Sequence, residues 1–225
     1  MSENGQLAYI ADYPIFGTIA NINAFALGAK MINPRARVYL EWSTLKDVDI
    51  RLAMENVQKK GVTVVSGKDM VIPEDASRYF GLYHLTEEGP HNLAMPLWHW
   101  GKFYEQLIRT IMDGTWKYDD NKDETKAINY WWGLSAEVID VIYSQKLLSM
   151  LKHAIATGEY HPFSGILYSQ DGMIQSDPNK ILSPEEIITM NWLADNVVGA
   201  IPASWELTEQ AKPVTEQSGV EKQKG

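Results

Sequence analysis

The chain has 225 residues, 45% of them apolar, with eight Trp and no Cys. A formal net charge of -9 and a sequence pI near 5.0 exclude a basic nucleic-acid-binding surface. The missing Cys excludes disulfides, zinc thiolates and a thiol nucleophile, and no run of 18 apolar residues is present to span a bilayer.

The first half alternates strand and helix patterns. Leu7–Ala11 reads as a short apolar strand ending at Asp12. Ile15, Phe16, Ile19, Ile22, Phe25, Ala26 and Met31 trace a helix that Asn33-Pro34 stops. Val38, Leu40 and Trp42 alternate in a second strand, Arg37–Trp42. Asp47–Lys60 reads as a second helix closed by Gly61, and Val62–Val65 as a third strand, apolar on both faces. Tyr79–His84 and Asn92–Met95 add strand. After Pro96, the positions Trp100, Tyr104, Leu107, Ile108, Ile111 and Met112 recur at helical spacing, so one face should pack and the other be wet. Strands alternating with helices predict an α/β body with a mainly parallel sheet and right-handed crossovers.

The second half is patterned differently. Lys117–Lys126 reads as a charged loop. Tyr130–Tyr143 is strand-like and very apolar, and Leu147–Ile155 continues as a helix closed by Gly158. Ile166–Tyr168 and Met173-Ile174 flank Asp171-Gly172 as a hairpin. Ser183-Pro184-Glu185-Glu186 has the pattern of a capping box. From Thr208 to Gly225 the chain is polar and aperiodic and reads as a tail.

In an open parallel sheet, ligands bind beyond the carboxyl ends of the strands. There the first strand offers Asp12, Tyr13 and Phe16, the second Trp42 and Ser43, and the third Ser66, Gly67, Lys68 and Asp69. The helix entrance after Pro96 offers Trp98. Rings that stack and carboxylates that accept hydrogen bonds suit a planar polar ligand. A residue taken alone has a bland alternative: Asp12 as a helix cap, Lys68-Asp69 as a turn, the tryptophans as packing.

Signals for catalysis are missing from the sequence. It has no G-x-G-x-x-G, no G-x-x-x-x-G-K-[ST] and no G-x-S-x-G. Its five histidines (His84, His91, His99, His153, His161) lack metal spacing. The expectation is a binding module with no cofactor, no metal and no catalytic residues.

Ordered blocks from about Leu7 to about Pro202 carry a resemblance. They are Asn23–Ala29 followed by Asn33-Pro34, Val38–Ser43 ending in a Trp, and Ser66–Met70 in the slot of an acidic loop. Trp98–Gly101, Asp113–Lys117, and Asn196–Gly199 with Ile201-Pro202 follow. Together they resemble the basic membrane protein family, substrate-binding lipoproteins of ABC transporters of the purine-nucleoside receptor type. The resemblance implies a type I periplasmic-binding-protein fold, a three-layer α/β clamp with the ligand between two lobes, and a purine nucleoside or base as ligand. Two positions depart from the family pattern. Gly67 stands where relatives carry a first, ribose-binding-like Asp, leaving Asp69, and Trp98 stands where some members have a Lys.

The resemblance starts partway along the family's chain, which implies residues 7–116 as the second lobe, 117–205 as a segment returning to an incomplete first lobe, and 206–225 as a polar tail. Partners would then be a first-lobe segment or a second copy, meeting the apolar stretch Trp131, Trp132, Val138, Ile139, Val141 and Ile142. Met1–Gly5 lacks a basic region, an apolar core and a lipid-accepting Cys, so the sequence as written reads as cytoplasmic, whereas typical family members are anchored outside the membrane. The alternative function is accordingly a ligand-sensing or regulatory domain of a longer protein.

Overall fold

The computed structural model describes residues 2, 4–67, 81–114, 139–142 and 146–220. They divide into two units, Met1–Met95 with His161–Gly225, and Pro96–Tyr160.

The first unit is built on a sheet. Its strands are β1 (Gln6–Ala11), β2 (Arg37–Trp42), β3 (Val64–Ser66), β4 (Leu82–Thr86), the start of β5 (Gly89–Trp98) and β9 (Val197–Val198), in the order β5-β4-β3-β1-β2-β9. β1 runs parallel to β2 from Gln6↔Arg37 to Ala11↔Trp42, and parallel to β3 through Ala8↔Val65. β2 runs parallel to β9 through Val38↔Val197. The sheet is mainly parallel as expected, with an antiparallel edge: β3 pairs β4 and β4 pairs β5 antiparallel. Glu87-Glu88 turns the chain back at once, closed by Gly89 at φ 110°, so no crossover helix intervenes.

Alternation along β1 divides the core into two. Tyr9 and Ala11 face one layer with Ile19, Ile22 and Ala26 of α1 (Thr18–Ile32), joined by Val38, Leu40, Trp42, Phe163, Leu167, Met190, Leu193 and Val220. Ala8 and Ile10 face the other layer with Ala53 and Val57 of α2 (Ile50–Lys59), and with Val62, Val65 and Tyr83. Period-two strands clothed on both faces produce the three-layer α/β body.

Several element ends differ from the sequence expectation, each for a local reason. α1 starts at Thr18 rather than Ile15 because Gly17, at φ 86°, breaks the backbone just before it. α2 starts at Ile50 because the Asp49 side chain accepts from Leu52 N–H at 2.8 Å, while Asp47 sits at φ 62° outside the helix. The capping box forms as read: Ser183 accepts from Glu186 N–H, and Glu186 accepts from Ser183 N–H, starting α5 (Pro184–Ile188). The hairpin also forms, as β7 (Leu167–Ser169) and β8 (Gly172–Gln175).

The larger difference is at the C-terminus. The residues read as a tail include α6 (Lys212–Ser218), and Leu207, Ala211 and Val220 are buried. Three small apolar anchors spread over fourteen residues are too sparse to register as a periodicity, yet each fills a place in the core.

The second unit holds the end of β5, α3 (Trp100–Met112), β6 (Ile139–Ile142) and α4 (Lys146–Thr157). α3 has the bounds read from its spacing, but none of its residues is buried: Trp100, Tyr104, Ile108, Ile111 and Met112 are all exposed. Trp131, Trp132 and Val138 lie outside the described residues, as do Lys68, Asp69, Trp116 and Lys117. No helix among the described residues is long and apolar enough to cross a membrane.

Candidate ligand-binding rim

β1, β2 and β3 are parallel neighbours, so their carboxyl ends open on one edge of the sheet. Past the last β1–β2 pair, Ser43 N–H donates to Ala11 O at 2.9 Å, which carries the register one residue beyond both strands. This puts Asp12 beside Ser43. The Ser43 hydroxyl donates to Asp12 Oδ1, and the neighbouring Thr44 hydroxyl donates to the Asp12 backbone carbonyl. Both contacts are short and all three residues are half-buried or less exposed. A carboxylate so held has a fixed direction, which is what a polar ligand group needs from an acceptor.

Tyr13 follows, half-buried, and Phe16 is 44% exposed. Their loop turns tightly, with Ile15 N–H donating to Tyr13 O at 2.9 Å, and is tied on by Phe16 N–H to Ser218 O at 2.9 Å and Gly17 N–H to Ile188 O at 3.2 Å. Gly67 leaves the buried end of β3 and donates its N–H to Gly81 O at 2.9 Å. Asp12, Tyr13, Phe16, Ser43 and Gly67 thus share one edge of the first unit, as the strand order requires.

Trp42 and Trp98 of the expected set have surroundings of their own. Trp42 is 3% exposed, within the core on the α1 side, with its indole N–H donated to Ala200 O at 2.8 Å. As the last residue of β2 it keeps the strand's alternation and faces inward, so its ring offers no open face for stacking. Trp98 belongs to the second unit, where its ring stacks on that of Trp100 at 5.4 Å and 13°, and Trp100 meets Phe103 edge-on at 5.9 Å. Asp69 lies outside the described residues.

Sequence reasoning missed Thr44, whose only signal was its place beside Ser43. It also missed Trp205, which is 69% exposed in a 3-10 turn (Ser204–Glu206). That turn is joined to the loop after β2, since Lys46 N–H donates to Glu206 O at 2.8 Å and Leu45 bridges Leu207. Nearby, Lys212 pairs with Glu209 and holds its carboxyl below the ordinary carboxylate range. Among the described residues, no group of three His, Cys, Asp or Glu side chains could hold a metal ion. The rim is therefore equipped to accept and donate hydrogen bonds and to cover a flat surface.

No family model matches the chain. It is 24% identical over 222 residues to a purine-binding protein of Brucella abortus, an alignment covering 90% of this chain and 60% of that protein. It is 27% identical over 129 residues to a putative ABC transporter glucose-binding protein of Haloferax volcanii, covering 53% of this chain and 33% of that one. The chain thus spans less than two thirds of the length of these curated relatives. Both are binding proteins rather than enzymes by name, and the mixed α/β sheet architecture agrees with a periplasmic-binding-protein-like fold. The chain is accordingly similar to substrate-binding proteins that recognise small molecules.

Proposed function

We propose that the chain is a non-catalytic ligand-binding module of the basic membrane protein type, and that the rim of its first unit takes a purine base or nucleoside. The observation that carries this reading is the fixed Asp12–Ser43–Thr44 knot at the carboxyl ends of parallel strands, bordered by Tyr13 and Phe16. A carboxylate oxygen accepts from an exocyclic amine, a ring N–H or a ribose hydroxyl, and the rings cover a flat heterocycle. The likeness to a purine-binding protein supports the class of ligand. Asp69, in the slot of the family's acidic loop, is proposed as a second acceptor, and Gly67 in place of the first Asp would weaken the hold on a ribose.

A monosaccharide is the second reading, favoured by the glucose-binding relative and by the hydroxyl-rich knot. Calorimetry with adenine, adenosine, guanosine, inosine and glucose separates the two. Binding of a purine, weakened about 10- to 100-fold in Asp12→Asn, is expected for the loss of one charge-assisted hydrogen bond. Heat with glucose alone replaces the purine by a sugar. Purine binding that Asp12→Asn and Phe16→Ala leave unchanged removes the rim from the reading.

A further inference from the structure

We infer that the C-terminal segment 204–220 is a built part of the rim, a strap that positions the loops after β1 and β2. Only its role in tuning affinity rests on the ligand reading above. The strap is laced to both loops by backbone groups. At the loop after β2, Lys46 N–H donates to Glu206 O at 2.8 Å, Thr208 N–H donates to Thr44 O at 2.9 Å, and Leu45 bridges Leu207 in antiparallel sense. At the loop after β1, Phe16 N–H donates to Ser218 O at 2.9 Å, Val220 N–H donates to Pro14 O at 3.0 Å, and Ile15 bridges Gly219. The segment therefore runs along the edge from one loop to the other, touching the residues next to Asp12, Tyr13, Ser43 and Thr44.

Its own fixings show that it is held in place. Leu207 is 0%, Ala211 1% and Val220 6% exposed, so the strap is fastened into the core at both ends and in the middle. The Ala203 N–H donates to Glu206 Oε2 at 2.8 Å, closing the turn that begins it. Where the strap leaves α6 to meet Ile15, a Cβ on Gly219 would lie 2.0 Å from the Thr215 carbonyl oxygen, a contact no side chain tolerates. A glycine there lets the chain pass close to its own helix and still reach the β1 loop. Loops held by a packed strap lose less freedom when a ligand arrives, which is how preorganisation raises affinity.

Proline substitutions test this, because they delete one N–H while alanine at the same place keeps it. Thr208→Pro and Val220→Pro are suitable, since the preceding Leu207 (φ -86°, ψ 156°) and Gly219 (φ -71°, ψ 148°) are already extended, as a residue before proline must be. Amide hydrogen exchange on the full chain, without ligand, reads the loops directly. Exchange at Lys46 in Thr208→Pro and at Phe16 in Val220→Pro should quicken about five- to tenfold, with Leu40 of β2 unchanged and the Thr208→Ala control close to the parent. The adenine dissociation constant should rise by a similar factor in the proline variants. Unchanged Lys46 and Phe16 exchange in the proline variants, or equal Lys46 acceleration in Thr208→Ala, overturns the strap as a positioning element. If the parent chain binds no adenine, the purine reading fails while the exchange result still decides the strap.

Discussion

α1 and α3 both read as helices from the spacing of their apolar residues, yet they end in different surroundings. α1 buries Ile19, Ala20, Ile22, Asn23 and Ala26 against the sheet and the C-terminal segments. α3, with a regular stripe of Trp100, Tyr104, Ile108, Ile111 and Met112, buries none of its residues. Periodicity shows that a helix has an apolar face, but it carries no information on whether an element of the same chain covers that face. Asn23 makes the contrast sharper. A polar residue on the packed face of α1, it is wholly buried, its Oδ1 accepting from Ala194 N–H at 2.8 Å and its Nδ2 donating to Trp192 O at 2.7 Å. The packed helix is thus fixed in register by hydrogen bonds as well as by apolar contact.

The largest expected effect tests the two faces against each other. Ile22→Ala should cost about 2–5 kcal/mol in urea unfolding, as for a buried aliphatic truncation, whereas Ile108→Ala should stay within about 0.5 kcal/mol, as for surface positions. Equal losses would mean that α3 is covered after all. Asn23→Ala leaves the buried Ala194 N–H and the part-buried Trp192 C=O without these partners and should cost about 2–4 kcal/mol by the same measurement. A loss near zero would show that its amide bonds add nothing to the packing of α1. Ser183→Ala removes the hydroxyl that accepts from Glu186 N–H in the α5 capping box and should cost about 1 kcal/mol, with partial recovery in Ser183→Asp.

The smallest effects are acid-dependent and belong to the first unit. Burial pushes the His161 imidazole below its ordinary value of 6.5, and its Nδ1 accepts from Phe163 N–H at 3.2 Å, so the fold favours the neutral ring. The unfolded chain then binds the extra proton first, and stability should decline as pH falls below about 6.5, levelling once the folded ring is also protonated. Glu186 is held at about 2 rather than 4.5 by the Ser183 N–H and by Lys180. Its contribution should be complete above about pH 4.5 and fade as pH falls towards about 2. Urea midpoints across pH 2–8 should show a shallower upper decline in His161→Gln and a shallower lower one in Glu186→Gln. Parallel curves in parent and variants would remove both groups from the acid response.

Much of the first unit was legible in the sequence because its cues are local. The alternation Val38, Leu40, Trp42 placed β2 at its observed ends, and the Ser183–Glu186 pattern placed the capping box. The edge that holds Asp12, Tyr13, Phe16, Ser43 and Gly67 followed from strand order alone, since parallel neighbours expose their carboxyl ends together. The orientation of Trp42 was not legible, because a strand's last residue can face either way, and only its hydrogen bond to the Ala200 carbonyl and its place in the α1 layer show that it turns inward. The strap escaped notice for a different reason: its ties to Pro14, Phe16, Thr44 and Lys46 are backbone hydrogen bonds, which leave no mark in residue type.

What the sequence by itself determined, then, is the run of elements from β1 to α5, the three-layer α/β class and the edge at which polar groups gather, because period-two and helical spacing are properties of neighbouring residues. Tertiary structure alone decided which rings are buried and which exposed, that the polar C-terminus is folded, and that Thr44 locks the Asp12 backbone in place. Those outcomes depend on contacts between residues some 30 to 200 positions apart, and no local pattern encodes which distant backbone group will complete a hydrogen bond or cover an apolar face.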